Sequence, residues 1–153
     1  MTRVLLSALV EGMDFQSDQM TSYLHRPTGQ VLWVSDEALR AADGYDEDSV
    51  DPEELADARG ILASFDDYLA LPDRFEIDEY RMMEDFAMGL DDSLQRDEAQ
   101  ASLRGAKAFR RFKDTIHRFG LSDNWYAYRE RAYTEVARTW CEANGIELDV
   151  ASG

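Results

Sequence analysis

The stretch from Arg104 to Arg118, RGAKAFRRFKDTIHR, gathers six of the chain's sixteen Lys and Arg residues around one acid, Asp114. It carries +5, so the other residues carry −21 to reach the formal −16. Read as a helix, it places Arg104, Lys107, Arg111 and Arg118 within an arc of about 60°. Arg110, Lys113 and His117 form a second flank, with a Phe and Ile face between the two. Such cations suit the phosphates of a nucleotide, a nucleic acid or a phosphorylated partner. The plainer expectation is that this helix neutralises the protein's own acids, because the remaining chain is so strongly negative.

Other reactive groups are few: His25, His117 and Cys141. Nucleophilic catalysis needs a base beside the nucleophile. Cys141 falls on the back of the last helix, away from its apolar stripe, with no motif around it. The metal spacings H-x-x-x-H, H-E-x-x-H and C-x-x-C are absent. The acidic segment 43–54 has Asp43 and Glu54 where a calcium loop begins and ends. Tyr45 and Asp48, however, stand where that loop needs an oxygen ligand and a glycine. Among 32 carboxylates no acid pair is specific. No catalytic residue, metal ligand or cofactor is therefore expected. Glu79 and Arg129 interrupt apolar helical faces, and a charge carried inward needs a partner. A structural ion pair, with each other or with the basic helix, is the expectation for both.

The elements that position these residues follow from periodicity. Val4, Leu5, Ala8, Leu9 and Met13 recur on one helical face, which predicts a helix over 3–14 capped by Thr2. MTSYLHR and QVLWVS, joined by Pro27-Thr28-Gly29, predict a β-hairpin over about 20–35. A lone hairpin is marginal, so it must lie on helices or gain a strand, for which 68–71 is the candidate. Ser35 caps a short helix. Asp51, with Pro52 at N1 and a Glu at N3, opens another whose stripe is Leu55, Ala58, Leu62 and Phe65. Asp78 caps a helix bearing Tyr80, Met83, Phe86, Ala87 and Leu90. Phe109, Phe112, Ile116 and Phe119 give the basic helix its inner face, and Gly120 ends it. Ser122 caps the last helix, which Gly145 terminates.

The 153 residues fit one domain, 1–153, of α+β class: an N-terminal hairpin or small antiparallel sheet on a helical body over 52–144. Seventeen aromatics supply a core, which argues against disorder. No apolar run approaches a membrane span, the N-terminus is no signal peptide, and a single cysteine fits a reducing cytosol. A net charge of −16 repels nucleic acid overall, so its binding is expected to be weak or absent.

AFRRFKDTIHRFGLSDNWYAYRERAY, LPDRFEIDEYRMMEDF and FQSDQMTSYLHRPTGQVLWVSDE together resemble a bacterial family of small acidic uncharacterised proteins, over nearly the whole chain. The resemblance implies a cytosolic domain with a helical body and a small hairpin, and no activity. The functional expectation is a cytoplasmic binding or regulatory module that engages a protein partner through its acidic lobe or aromatic-rich helices, including as a nucleic-acid mimic. The alternative is a nucleotide or nucleic-acid binder using 104–118. A phosphoester hydrolase employing His117 ranks below both.

Overall fold

Thr2 and the residues after it depart from the predicted helix. In this computed structural model, which describes residues 2–44, 48 and 50–150, Arg3–Leu5 is a strand (β1) and helix α1 spans Leu6–Phe15. β1 pairs in parallel with Glu147–Asp149 near the other end of the chain (β5), Val4 opposite Leu148. Val4 is buried, and the pairing takes up main-chain groups that a helix would have bonded internally. Thr2 caps nothing here; its Oγ1 donates to the Arg26 carbonyl at 2.6 Å.

The chain divides into two compact units, Met1–Glu76 with Val136–Gly153, and Ile77–Glu135. In the first, the predicted hairpin is β2 (Met20–His25) and β3 (Gln30–Ser35), in antiparallel register from Met20↔Ser35 to His25↔Gln30. The candidate third strand, β4 (Tyr68–Ala70), adds to the other edge of β2, giving the order β3–β2–β4. Helix α1 rests on this sheet at Gly12. A Cβ there would lie 2.8 Å from Val31 Cγ1 and 2.9 Å from Leu71 Cδ1, so any other residue would force those side chains to shift. The fully buried Ser22 donates through Oγ to the Gly12 carbonyl at 2.7 Å, and its N–H donates to Gln16 Oε1 at 3.2 Å.

Helix α2 (Asp36–Ala42) is capped by Ser35, and α3 (Pro52–Ala63) by Asp51, as predicted. Glu54 stands at N3 as expected, and its carboxylate accepts from the Ser35 N–H at 2.8 Å, tying the start of α3 to the start of α2. Val34, Ala38, Ala58 and Ile61 form the core between them. The predicted α3 stripe is corrected at its end: Ile61 is buried, whereas Leu62 and Phe65 are exposed. The helix stops at Ala63 and a 3-10 turn over Phe65–Asp67 leads into β4, so Phe65 is out of register with the buried face. Residues 45–47 and 49 of the acidic segment, including the Tyr45 on which the calcium-loop comparison turned, lie outside the described residues.

Helix α4 (Arg74–Ile77) leads to the second unit, whose helices are α5 (Glu79–Met88), α6 (Ser93–Ser102), α7 (Ala108–Arg118) and the first part of α8 (Ser122–Asn144). Asp78 and Asp92 cap α5 and α6, accepting from the Arg81 and Gln95 N–H groups. Gly120 closes α7, the Leu121 N–H donating back to the Ile116 carbonyl at 2.9 Å. Helix α8 starts at Ser122 itself, one residue earlier than a Ser122 cap implies.

Cys141 is buried, which corrects its expected place on the back of α8. The buried row runs at multiples of four through Trp125, Tyr133, Ala137 and Cys141, with the half-buried Arg129 between the first two. Four residues turn about 400°, so such a row drifts round the helix by about 40° per step. A straight stripe drawn from Trp125 therefore misses its far end.

Candidate anion-binding face

Helix α7 is anchored from inside. Phe112 and Ile116 are buried, and the Phe112 ring meets Trp125 edge-on with centroids 5.2 Å apart. Phe86 joins the same cluster, 5.5 Å from Trp125 and 5.4 Å from Tyr128. The expected inner face is only partly so: Phe109 is 39% exposed and Phe119 half-buried. Among the described residues the buried Trp125 Nε1 has no hydrogen-bond partner.

The anchoring turns the polar side of α7 to solvent. Arg110, Arg111, Lys113, His117 and Arg118 are all exposed. On the helical projection Lys113, His117 and Arg110 lie along one edge, Arg111 and Arg118 along the other, with Asp114 between. The single predicted arc of Arg104, Lys107, Arg111 and Arg118 does not form, because α7 begins at Ala108 and both Arg104 and Lys107 precede it. A turn intervenes, with Gly105 at φ 80° and Lys107 at φ 59°, and helical spacing does not carry through it. A lysine in the left-handed region costs about 1–2 kcal/mol, a strain held directly in front of the basic helix.

Pairing decides how much of this charge is available. Arg118 forms an ion pair with Glu98 of α6 and lies over the Phe119 ring at 5.1 Å. Arg104, Lys107, Arg110, Arg111 and Lys113 have no ion pair or side-chain hydrogen bond among the described residues. Self-neutralisation, the plainer sequence expectation, thus accounts for Arg118 alone among the six cations of 104–118. The acids are also unevenly shared. The second unit holds ten Lys and Arg against twelve Asp and Glu, a net −2, and the first holds six against twenty, a net −14.

The second charged site is a structural one. Arg129 Nε donates to Glu79 Oε1 at 2.5 Å. The Tyr133 hydroxyl donates to the same oxygen at 3.0 Å and accepts from Arg129 Nη2 at 3.0 Å. The guanidinium also lies over the Tyr133 ring, 4.2 Å from its centroid. The two charged side chains keep 17% and 21% of their surface exposed, so water contributes to their solvation. Sequence periodicity places Tyr133 in the apolar stripe around Arg129; the part its hydroxyl plays in the pair is what periodicity misses, although its spacing of four from Arg129 is the available signal.

Catalytic candidates do not converge. The His117 imidazole is exposed with no hydrogen-bond partner among the described residues, whereas a general base needs one to fix its tautomer. His25 Nδ1 is 2.8 Å from Thr28 Oγ1, within its own hairpin turn. Burial pushes the Cys141 thiol up, which disfavours the nucleophilic thiolate. Among the described residues no group of three or more His, Cys, Asp or Glu is placed to hold a metal ion. A shallow depression lined by Leu62 to Asp67 has the carboxylates of Asp66 and Asp67 and no His, Lys or Arg among its lining residues.

No protein-family model, curated protein or solved structure matches the chain. No helix among the described residues is long and apolar enough to cross a membrane.

Proposed function

We propose that this protein is a binding module that holds an anionic partner against the solvent side of α7. One observation carries the reading: Arg104, Lys107, Arg110, Arg111 and Lys113 are exposed and have no ion pair among the described residues. The uneven sharing of charge supports it, since the unit bearing these cations is nearly neutral while the other is strongly acidic. The unit that bears these cations thus opposes an anion far less by its own net charge than the total of −16 implies. Fluorescence anisotropy with labelled polyphosphate and a labelled poly-glutamate peptide tests the reading. Affinity for at least one probe should fall as salt rises, and Arg110→Glu with Lys113→Glu should abolish it. No binding of either probe at low salt overturns it.

A second reading rests on the −14 of the first unit. A basic protein partner would be taken by that acidic surface, which then mimics nucleic acid. Displacement of such a partner by duplex DNA is its readout; a partner that DNA leaves in place overturns it.

A further inference from the structure

We infer that the anionic partner is a single-stranded nucleic acid, its bases stacked on Tyr80 and Phe109 and its phosphates held by Arg110 and Lys113. The inference rests on the anion-binding reading of α7 and adds the class of ligand. Tyr80 of α5 and Phe109 of α7 are 37% and 39% exposed, with ring centroids 6.5 Å apart and planes inclined by 32°. The Tyr80 hydroxyl donates to the Leu103 carbonyl at 2.8 Å, which fixes one ring of the pair without a ligand. Phe109, Lys113 and His117 follow one another at intervals of four, so ring, ammonium and imidazole form one row along the helix. Arg110 lies on the same edge.

Aromatic rings beside unpaired cations are what single-strand binding requires. Every base has a π-face, so stacking contributes affinity without reading sequence, and the cations track the backbone. A duplex keeps its base faces stacked within itself and cannot offer them to the rings. An acidic peptide would use the cations and leave the rings idle.

The test is anisotropy on the full chain with three DNA probes of equal length: a mixed-sequence single strand, the same strand without bases, and the duplex. The base-bearing strand should bind at least about fivefold tighter than the abasic one. Phe109→Leu and Tyr80→Leu should remove that advantage and leave the salt slope unchanged. Arg110→Glu with Lys113→Glu should weaken both strands and flatten the slope. Equal affinity of the wild-type protein for the base-bearing and abasic strands overturns the stacking platform, and needs no variant to fold. Tighter binding of the duplex overturns it as well. If poly-glutamate binds and no DNA probe does, this inference falls while the anion-binding reading stands; if nothing binds, both fall.

Discussion

Glu79 Oε1 accepts two hydrogen bonds at once, from a guanidinium and from a phenol that are themselves bonded. Removing one member leaves the other two with an unmet group in a partly dry place. Glu79→Gln or Arg129→Met should each cost about 1.5–3 kcal/mol, the range for hydrogen bonds to charged groups. The residual exposure of both side chains keeps this below the cost of breaking a fully buried pair. The double variant in denaturant melts should show coupling of about 0.5–3 kcal/mol, and additive losses would mean the charges do not interact. The sequence marked Glu79 and Arg129 because each interrupts an apolar face. It placed Tyr133 in the apolar stripe beside Arg129 but not in the pair, because a hydroxyl is invisible in an apolar pattern. Cys141 was misplaced by the drift of its helical row, and burial now assigns it a behaviour. Its folded pKa is raised above the ordinary 9.0, so the unfolded thiol ionises first as pH climbs. The stability this group supplies is full below about pH 9 and declines as pH rises through the folded value. Denaturation at rising pH should show a smaller alkaline loss in Cys141→Ala, and a thiol reagent at neutral pH should react far more slowly with the native chain than with the unfolded one. Rapid native labelling would contradict the burial.

Elements were legible where a local signal forced them. The hairpin, the Ser35, Asp51, Asp78 and Gly120 boundaries and the two buried positions of α7 all follow from spacing or caps within a few residues. β1 was not legible, because its partner is Glu147–Asp149 and nothing near Arg3 announces it. Val4 and Leu5 fit a helix as well as a strand, and a pairing across the length of the chain decided between them. The start of α7 was misjudged for a different reason: a basic run continued smoothly across a turn that charge cannot reveal. The two best-anchored contacts give element-scale tests. Phe112→Ala should destabilise by about 3–5 kcal/mol, since the ring is fully buried among Phe86 and Trp125. A loss under about 1 kcal/mol in denaturant melts would place the ring at the surface instead. Gly12→Ala sets two effects against each other. Helix propensity favours alanine by about 0.5–1 kcal/mol, and overpacking costs about 1–3 kcal/mol. Val31 is stiff at χ1 and cannot swing aside freely, so overpacking should win and thermal melts should show a net loss.

Charge is the property that organises the molecule as a whole, and its distribution was hidden in the sum. From the total, the basic run 104–118 stands as +5 against −21, which argues for a helix consumed by its own protein. Divided between the two units, the same residues give −14 and −2, so most of the opposing charge belongs to the first unit and little of it to the unit that carries α7. Boundaries between compact units depend on tertiary contacts, which is why a single sequence could not supply the partition. The energetic consequence belongs to the first unit. Like charges repel within it, and salt shortens the range of that repulsion to about 10 Å at 0.1 M. Raising salt from low to moderate should therefore stabilise the first unit more than the second. Hydrogen exchange read by mass spectrometry on the intact chain separates the two. Amides of β2, β3, α2 and α3 should gain protection with added salt, while those of α5, α6 and α7 change little. Because protection factors follow the free energy of local opening, the comparison reports stability unit by unit. Equal gains in both sets, or a larger gain in α5 to α7, would show that the −14 is not what limits the stability of the first unit.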